Sequence, residues 1–317
     1  MLGRKIYRAT LILLLWIALT RACLGVQTNV WEPSPGHTQV PIWPGAVPDA
    51  KPVAGAEYVT NVLSPNGVKW TAACNVSLPT MTVYAPKEKN NGIAVLVFPG
   101  GGYNCLAIDL EGTEICDWLT SRGITAVLLK YRVPSRESGA FAESPRALED
   151  AQRTLSLVRF HAAEWHLDPQ KMGVIGFSAG GHLVTAVSTH FDKRSYPAVD
   201  AADKESCRPD FAIACYPGHL WDDGNDGEGF GLNPNVPVTT NTPPTFLLQA
   251  ENDPVDHVNN SLVYYEALKK AGVPAEMHLY AEGGHGFGLR PTKFPITEWP
   301  RLVEKWLRTI GMISDQK

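Results

Sequence analysis

The segment Gly176-Phe177-Ser178-Ala179-Gly180-Gly181-His182 constrains this chain more than any other. The apolar run Met172-Gly173-Val174-Ile175 leads into it, and Leu183-Val184-Thr185-Ala186-Val187 follows. That order is strand, sharp turn, helix, with a serine at the apex and small residues packed round it. A turn this tight excludes bulky neighbours, so the Ser178 hydroxyl projects from it. The amide of Ala179 falls at the helix N-terminus, where it can stabilise a negative oxygen. A Gly-rich turn between strand and helix can also be plain packing, and the remainder of the chain decides between the two.

Along the chain the hydrophobic period switches repeatedly from two to about 3.6. Strands are expected at Tyr58–Leu63, Met81–Tyr84, Ala94–Phe98, Ala126–Tyr131, Met172–Gly176, Phe211–Cys215, Thr245–Gln249 and Glu276–Tyr280. Helical patterns cover Glu111–Ser121, Pro145–Trp165, Ala179–Thr189, Ser261–Ala271 and Glu298–Ile310. Strands alternating with helices predict an α/β fold: a mostly parallel central sheet of about eight strands with helices on both faces. Two hairpin-like strands precede the first helix, so the leading edge is expected to be antiparallel. With no internal repeat and no second core, residues 56–317 read as one domain. Residues 26–55 are rich in proline, which lacks an amide donor and fixes φ, so they read as an extended arm. Trp31 and Trp43 suggest that this arm packs on the body. Residues 217–243 are dominated by Gly, Asn, Asp and Pro and read as a long loop, functional or disordered, which precedes a strand and so could overhang the serine turn.

At 317 residues, 44% of them hydrophobic, there is ample material for a core. A net charge of −4 gives no electrostatic footprint for nucleic acid. Residues 1–25 carry Arg4, Lys5 and Arg8, then a short apolar run from Leu11 to Leu19, then small residues at Ala22, Cys23 and Gly25. That pattern predicts a cleaved signal peptide, a secreted or periplasmic protein, and no stable membrane insertion after leader removal. An uncleaved anchor is the competing reading. Loss of the leader would remove Cys23 and leave Cys74, Cys105, Cys116, Cys207 and Cys215. One bridge or two could form in an oxidising compartment, but the pairing cannot be read from sequence. No C-x-x-C pair or H-E-x-x-H segment suggests a metal.

A serine hydroxyl is a poor nucleophile at neutral pH; it needs a histidine base, an acid to orient that histidine, and donors for the oxyanion. His285 lies in Glu282-Gly283-Gly284-His285-Gly286-Phe287-Gly288, just after a strand, where flanking glycines let a loop deliver one imidazole to a crowded site. Glu251, Asp253 and Asp256 follow the strand ending near Gln249. Pro254 stiffens the turn after Asp253, which favours that residue, with Asp256 as the fallback; any of them could instead cap the next helix. Serine, acid, histidine is the chain order of strand–elbow–helix hydrolases. Val97-Phe98-Pro99-Gly100-Gly101-Gly102-Tyr103 follows an apolar strand, and its glycines can turn their amides toward a substrate. The expected oxyanion donors are Gly101, Gly102 and Ala179. Tyr103 and Asn104 border that loop and are candidate substrate contacts. Trp221, in the long loop, either stacks on a sugar face or anchors the loop. His182, in the first turn of the elbow helix, orients the serine or packs.

The motifs Pro99–Tyr103, Glu111-Gly112, Lys130–Pro134, Asp150 with Arg153, Gly176–His182, Pro243–Phe246, Asp253–Val255 and Gly283–Gly288 with Trp299-Pro300 occur in one chain. Together they resemble the α/β-hydrolase group of secreted bacterial acetyl esterases acting on plant polysaccharides, a group often labelled endo-xylanase. The resemblance runs from about residue 57 to the C-terminus. It implies a catalytic triad of Ser178, Asp253 and His285, an oxyanion loop at Gly100–Gly102, no cofactor, and an acylated carbohydrate as substrate. The implied reaction is ester hydrolysis, because glycoside hydrolysis ordinarily needs two carboxylates flanking the bond. Two other readings fit the same fold: a serine peptidase, which usually carries a further large domain for which this chain has no room, and a non-catalytic binding protein.

Overall fold

A computed structural model of the protein describes residues 30–50, 55–64, 67–133, 145–224 and 229–313. The expected signal peptide at 1–25 lies outside the described residues. In chain order the strands are β1 (Gln39–Pro41), β2 (Tyr58–Leu63), β3 (Lys69–Cys74), β4 (Thr80–Tyr84), β5 (Ala94–Phe98), β6 (Cys105–Ala107), β7 (Thr125–Lys130), β8 (Met172–Phe177), β9 (Phe211–Cys215), β10 (Trp221–Asp222), β11 (Gly231–Leu232), β12 (Thr245–Ala250) and β13 (Ala275–Tyr280). The α-helices are α1 (Glu114–Ser121), α2 (Pro145–Phe160), α3 (Ala179–Thr189), α4 (Asn259–Lys270) and α5 (Trp299–Thr309). A π-helical turn over Asp109–Thr113 leads into α1.

Eight strands form the central sheet in the order β1-β4-β7-β5-β8-β9-β12-β13. The six strands from β7 to β13 are parallel, and β4 and β1 add antiparallel to one edge. Every residue of β5 and β8 is buried, as expected for strands covered on both faces. Side-chain alternation assigns the faces. A Cβ at Gly173 would run into the Phe211 ring, which packs on Trp306 of α5, whereas one at Gly176 would meet Gly180 and Val184 of α3. Residues 173 and 176 point to opposite sides, so α5 and α3 cover opposite faces. Trp118 of α1 sits edge-on to Trp299, placing α1 with α5, while α2 packs beside α3. The amphipathic stripe of α5 (Trp299, Val303, Trp306, Leu307) is buried, at the spacing a helix needs.

Two sequence expectations are corrected. Residues 58–63 form a strand, but β2 belongs to a separate three-stranded antiparallel sheet, β2-β3-β6, and not to the central sheet. The edge position is filled by β1 from the proline-rich arm, which pairs antiparallel with β4. Alternation identifies a strand but not its partner, and Pro41 is tolerated because an edge strand has a free side. The helix expected over 145–165 ends at Phe160, so His161 and His166 lie in turns, with His166 at a φ of 55°.

The arm is held by buried polar contacts as well as by its aromatics. Trp43 stands edge-on to Tyr196, and its indole N–H donates to Asp150 Oδ1 at 2.9 Å. Arg132 pairs with Asp150 and with Glu149, and Arg153 donates to the Ile42 carbonyl while pairing with Asp200 and Asp203. Burial raises the Asp150 carboxyl above its ordinary pKa even against the Arg132 charge. Among the described residues no helix is long and apolar enough to cross a membrane. Trp43→Phe removes a hydrogen bond to a charged, buried acceptor, a loss of about 1.5–3 kcal/mol. Its Tm is expected to fall by about 3–10 °C in a thermal melt; an unchanged Tm would show that the arm contributes nothing at this point.

Candidate active site

The elbow forms because β8 and α3 meet with almost no separation. A Cβ at Gly176 would lie 2.2 Å from the Gly180 carbonyl oxygen, and one at Gly180 would lie 2.0 Å from the Phe98 carbonyl oxygen. Only glycine fits at either point. Ser178, between them, has a φ of 52° and a ψ of −120°, a conformation that costs a non-glycine residue about 1–3 kcal/mol. The surroundings hold it there: its N–H donates to the Cys215 carbonyl at 3.0 Å, and its carbonyl accepts from His182 N–H at 3.0 Å.

The loops after β8, β12 and β13 bring Ser178, Asp253 and His285 into one hydrogen-bonded row. Ser178 Oγ lies 3.0 Å from His285 Nε2, and His285 Nδ1 lies 2.8 Å from Asp253 Oδ2. Asp253 is held on both oxygens: Oδ1 accepts from the amides of Val255 and Asp256, and Oδ2 also accepts from Gln249 Nε2. Gln249 is fixed in turn by Ser261, whose hydroxyl donates to its carbonyl oxygen at 2.9 Å. The adjacent Asn252 accepts from the amides of Gly283 and Gly284, joining the acid loop to the histidine loop. Of the three acid candidates, Asp253 meets Nδ1 and Glu251 is exposed.

Asp256 approaches from the other side. Its Oδ2 lies 3.1 Å from Ser178 Oγ and 3.9 Å from His285 Nε2. Ser178 has one proton to donate. With His285 neutral, that proton can go to Nε2; with His285 charged, Nε2–H donates to Oγ and the hydroxyl turns to Asp256. Burial alone would lower the His285 pKa, but the bond to Asp253 and the charges of Asp253, Asp256 and Glu111 outweigh it and hold it above the ordinary value. Burial likewise raises Asp256, against the opposing charges of His285 and His219.

The glycine loop after β5 lies against the elbow, with Gly100 so close that an added Cβ would meet Ser178 Cβ at 2.9 Å. The Gly100 amide is used internally, donating to Glu111 Oε2 at 2.8 Å. Among the described residues the amides of Gly101 and Gly102 donate to no protein group, and Ala179, as the first residue of α3, has no intrahelical acceptor. Glu111, buried on the π-helical turn, also accepts from the Tyr216 hydroxyl at 2.8 Å. Tyr216 accepts from the Gly288 amide and stands edge-on to His285. One carboxylate therefore links the loops after β5, β9 and β13. Tyr216, Gln249 and Asn252 carry no local sequence signal for these tasks beyond their position after, or at the C-terminal end of, parallel strands, and Glu111 stood out only within the Glu111-Gly112 motif.

The expected substrate contacts divide. Tyr103 is buried at a φ of 58°, with its hydroxyl 2.7 Å from His182 Nδ1. Burial drives the His182 pKa down to about 3, so this imidazole is neutral and braces Tyr103. Asn104 is exposed, and its amide donates to the Gly102 carbonyl at 3.0 Å. Trp221 is half-buried in the β10–β11 hairpin, its N–H on the Gly229 carbonyl and its ring 4.8 Å from that of His257, which is the anchoring alternative. The long loop thus carries a short hairpin, tied to α4 by Asn260, whose side-chain oxygen accepts from the amides of Leu220 and Trp221. An open cleft of about 910 Å³ lies at the opposite end of the sheet, lined by Lys89, Gly123 and Lys171 among others, and none of Ser178, Asp253 or His285 borders it. The hydrogen-bonded row is the better guide to chemistry. Among the described residues no group of three or more His, Cys, Asp or Glu side chains is placed to hold a metal ion.

Residues 95–289 match the family described as alpha/beta hydrolase fold, and the chain belongs to that family. It is 30% identical to an acetylxylan esterase of Xylanibacter ruminicola over 66% of its own length and 43% of that protein. It is 28% identical to an endo-1,4-beta-xylanase B of Butyrivibrio fibrisolvens over 83% of its length and 42% of that protein. The chain therefore spans less than half the length of these two relatives. A solved structure, an acetyl ester-xyloside bifunctional hydrolase from Caldicellulosiruptor lactoaceticus, superposes with a TM-score of 0.69 at 34% identity, covering 87% of this chain and 97% of that one.

The ring titration of His285 is directly measurable by NMR. Its midpoint is expected above the ordinary imidazole value of about 6.5, and in Asp256→Asn, which removes one negative charge beside Nε2, below that of the parent. Equal midpoints in parent and variant would mean that Asp256 does not act on His285.

Proposed function

We propose that this chain is a serine carboxylesterase that removes O-acetyl or similar small acyl groups from plant polysaccharides such as xylan. The observation that carries the reading is the row Ser178 Oγ–His285 Nε2–Asp253, at 3.0 and 2.8 Å, beside loop amides with no other protein partner among the described residues. The substrate class rests on likeness to the acetylxylan esterase and the acetyl ester-xyloside hydrolase. Export, secreted or periplasmic, rests on the leader-like pattern of residues 1–25.

In this reading His285 Nε2 takes the Ser178 proton as Oγ attacks the ester carbonyl. The tetrahedral oxyanion is met by the amides of Gly101, Gly102 and Ala179. Asp253 keeps the proton on Nδ1 and stabilises the imidazolium that forms. His285 then protonates the sugar hydroxyl as it leaves, and a water, deprotonated by the same imidazole, releases the acid from the acyl-enzyme. The base must be neutral to start, so the rate rises with pH through the His285 titration. A raised pKa moves that acid limb upward, and Asp256→Asn moves it downward.

Acetylated xylo-oligosaccharides followed by mass spectrometry test the substrate, and a fluorophosphonate probe tests the nucleophile. The parent is expected to release acetate and to take up the probe. Ser178→Ala is expected to lose labelling and about 10⁴–10⁶-fold in kcat. A parent that neither labels nor releases acetate would favour a binding protein on the same fold. Cleavage of a chromogenic peptide without deacetylation would favour a peptidase.

A further inference from the structure

The described cysteines are free thiols in the structure, and two of them face each other beside the glycine loop. Cys74 ends β3, Cys105 begins β6, and they are direct partners in the antiparallel register. The hydrogen bonds define what kind of pair this is. Ile108 N–H donates to the Thr71 carbonyl, so 71 and 108 form a hydrogen-bonded pair. Bonded and non-bonded pairs alternate, which makes 73 with 106 bonded and 74 with 105 non-bonded. Consistent with this, the Cys105 amide turns away from β3 and donates to the Gly101 carbonyl at 3.2 Å, and the Ala107 amide donates to Gly100. In a non-bonded pair the Cα atoms stand about 4.5 Å apart with side chains on the same face, inside the range a disulfide spans.

The two thiols already interact. Burial, followed by the charge and hydrogen bond of Cys74, pushes the Cys105 thiol up to about 12. Tyr58, opposite Cys74 on β2, is raised chiefly by its hydrogen bond to Cys74. Cys105 Sγ also lies 3.7 Å from the Gly101 carbonyl, and a Cβ at Gly101 would clash with the Cys105 backbone. Cys116, Cys207 and Cys215 are each buried elsewhere.

We propose that Cys74 and Cys105 form a disulfide that fixes β6 to β3 and thereby clamps the Gly100–Gly102 loop. The oxidant is a disulfide of the glutathione class. One cysteine thiolate attacks it, expelling one glutathione thiol and leaving a mixed disulfide. The other cysteine gives up its proton and displaces the second glutathione, so two protein thiols become one disulfide as one disulfide becomes two thiols. The bridge closes a loop of about 30 residues, and its effect on the unfolded chain raises the Tm. Its position fixes the strand whose amides hold the Gly100 and Gly101 carbonyls.

The test uses the purified full chain after reduction, then after equilibration with oxidised glutathione. Oxidation is expected to lower the intact mass by about 2 Da, the mass of two hydrogens lost in forming one bridge, to yield a Cys74–Cys105 linked peptide, and to raise the Tm by about 5–10 °C. Hydrogen exchange of the Gly101–Cys105 amides is expected to slow. Cys74→Ser and Cys105→Ser should each lose the oxidation-dependent Tm shift. Both thiols remaining open to alkylation, or glutathione retained on either, would overturn the bridge. A bridge that forms while exchange in that segment stays unchanged would overturn the clamp. These readouts do not use catalysis, so they stand apart from the esterase assay.

Discussion

The contact between β8 and α3 fixes everything around it. Two glycines let a strand end and a helix begin with carbonyl oxygens where a Cβ would otherwise sit. The serine between them is forced to a positive φ, which lifts its hydroxyl off the end of the sheet and leaves the first amide of α3 beside it. The local strain is a small fraction of what the buried strands on either side contribute, so the sheet imposes the conformation on the turn. Once the elbow is set, the neighbouring parallel strands deliver their own C-terminal loops to the same spot.

A second constraint binds those loops to one another. Glu111 is a buried carboxylate with no cation bonded to it among the described residues, which on its own would be costly. Its two oxygens are satisfied by the Gly100 amide and the Tyr216 hydroxyl, and Tyr216 passes the connection on to Gly288. Trp299 of α5 then holds the Gly288 carbonyl at 2.8 Å. The glycine loop and the histidine loop, nearly two hundred residues apart in sequence, thus share one polar core. Because each member fills another's bonding capacity, removing any one leaves a buried polar group unpaired.

Much of this was legible before any coordinates. Alternation and apolar runs located all eight proposed strands, because central parallel strands such as β5 and β8 are apolar along their whole length. The elbow, the glycine loop and the His285 loop stood out through glycines at strand ends. What stayed hidden was partnership. β2 alternates like an edge strand of any sheet, and nothing in its residues says that it pairs with β3. The three-residue strands β1 and β6 are too short to show a period, and the six residues of β3 lacked a clean one. Gln249, Asn252, Glu111 and Tyr216 are polar residues whose bonding is decided by what lies across space, and Cys74 and Cys105 become a pair only through register.

The two aspartates beside His285 show why residue type underdetermines role. Both follow β12 and both come within 4 Å of the imidazole. Asp253 has four donors, the ring included, two on each oxygen, so its carboxylate cannot turn and Nδ1–H has one fixed acceptor. Asp256 sits on the nucleophile's side, where its charge favours the imidazolium and competes for the serine proton. In the proposed reaction the first carboxylate supports the base throughout, whereas the second helps only after the proton has moved and hinders before. The same chemistry placed 2.8 Å from Nδ1 or 3.9 Å from Nε2 therefore acts with opposite sign on the step that starts catalysis.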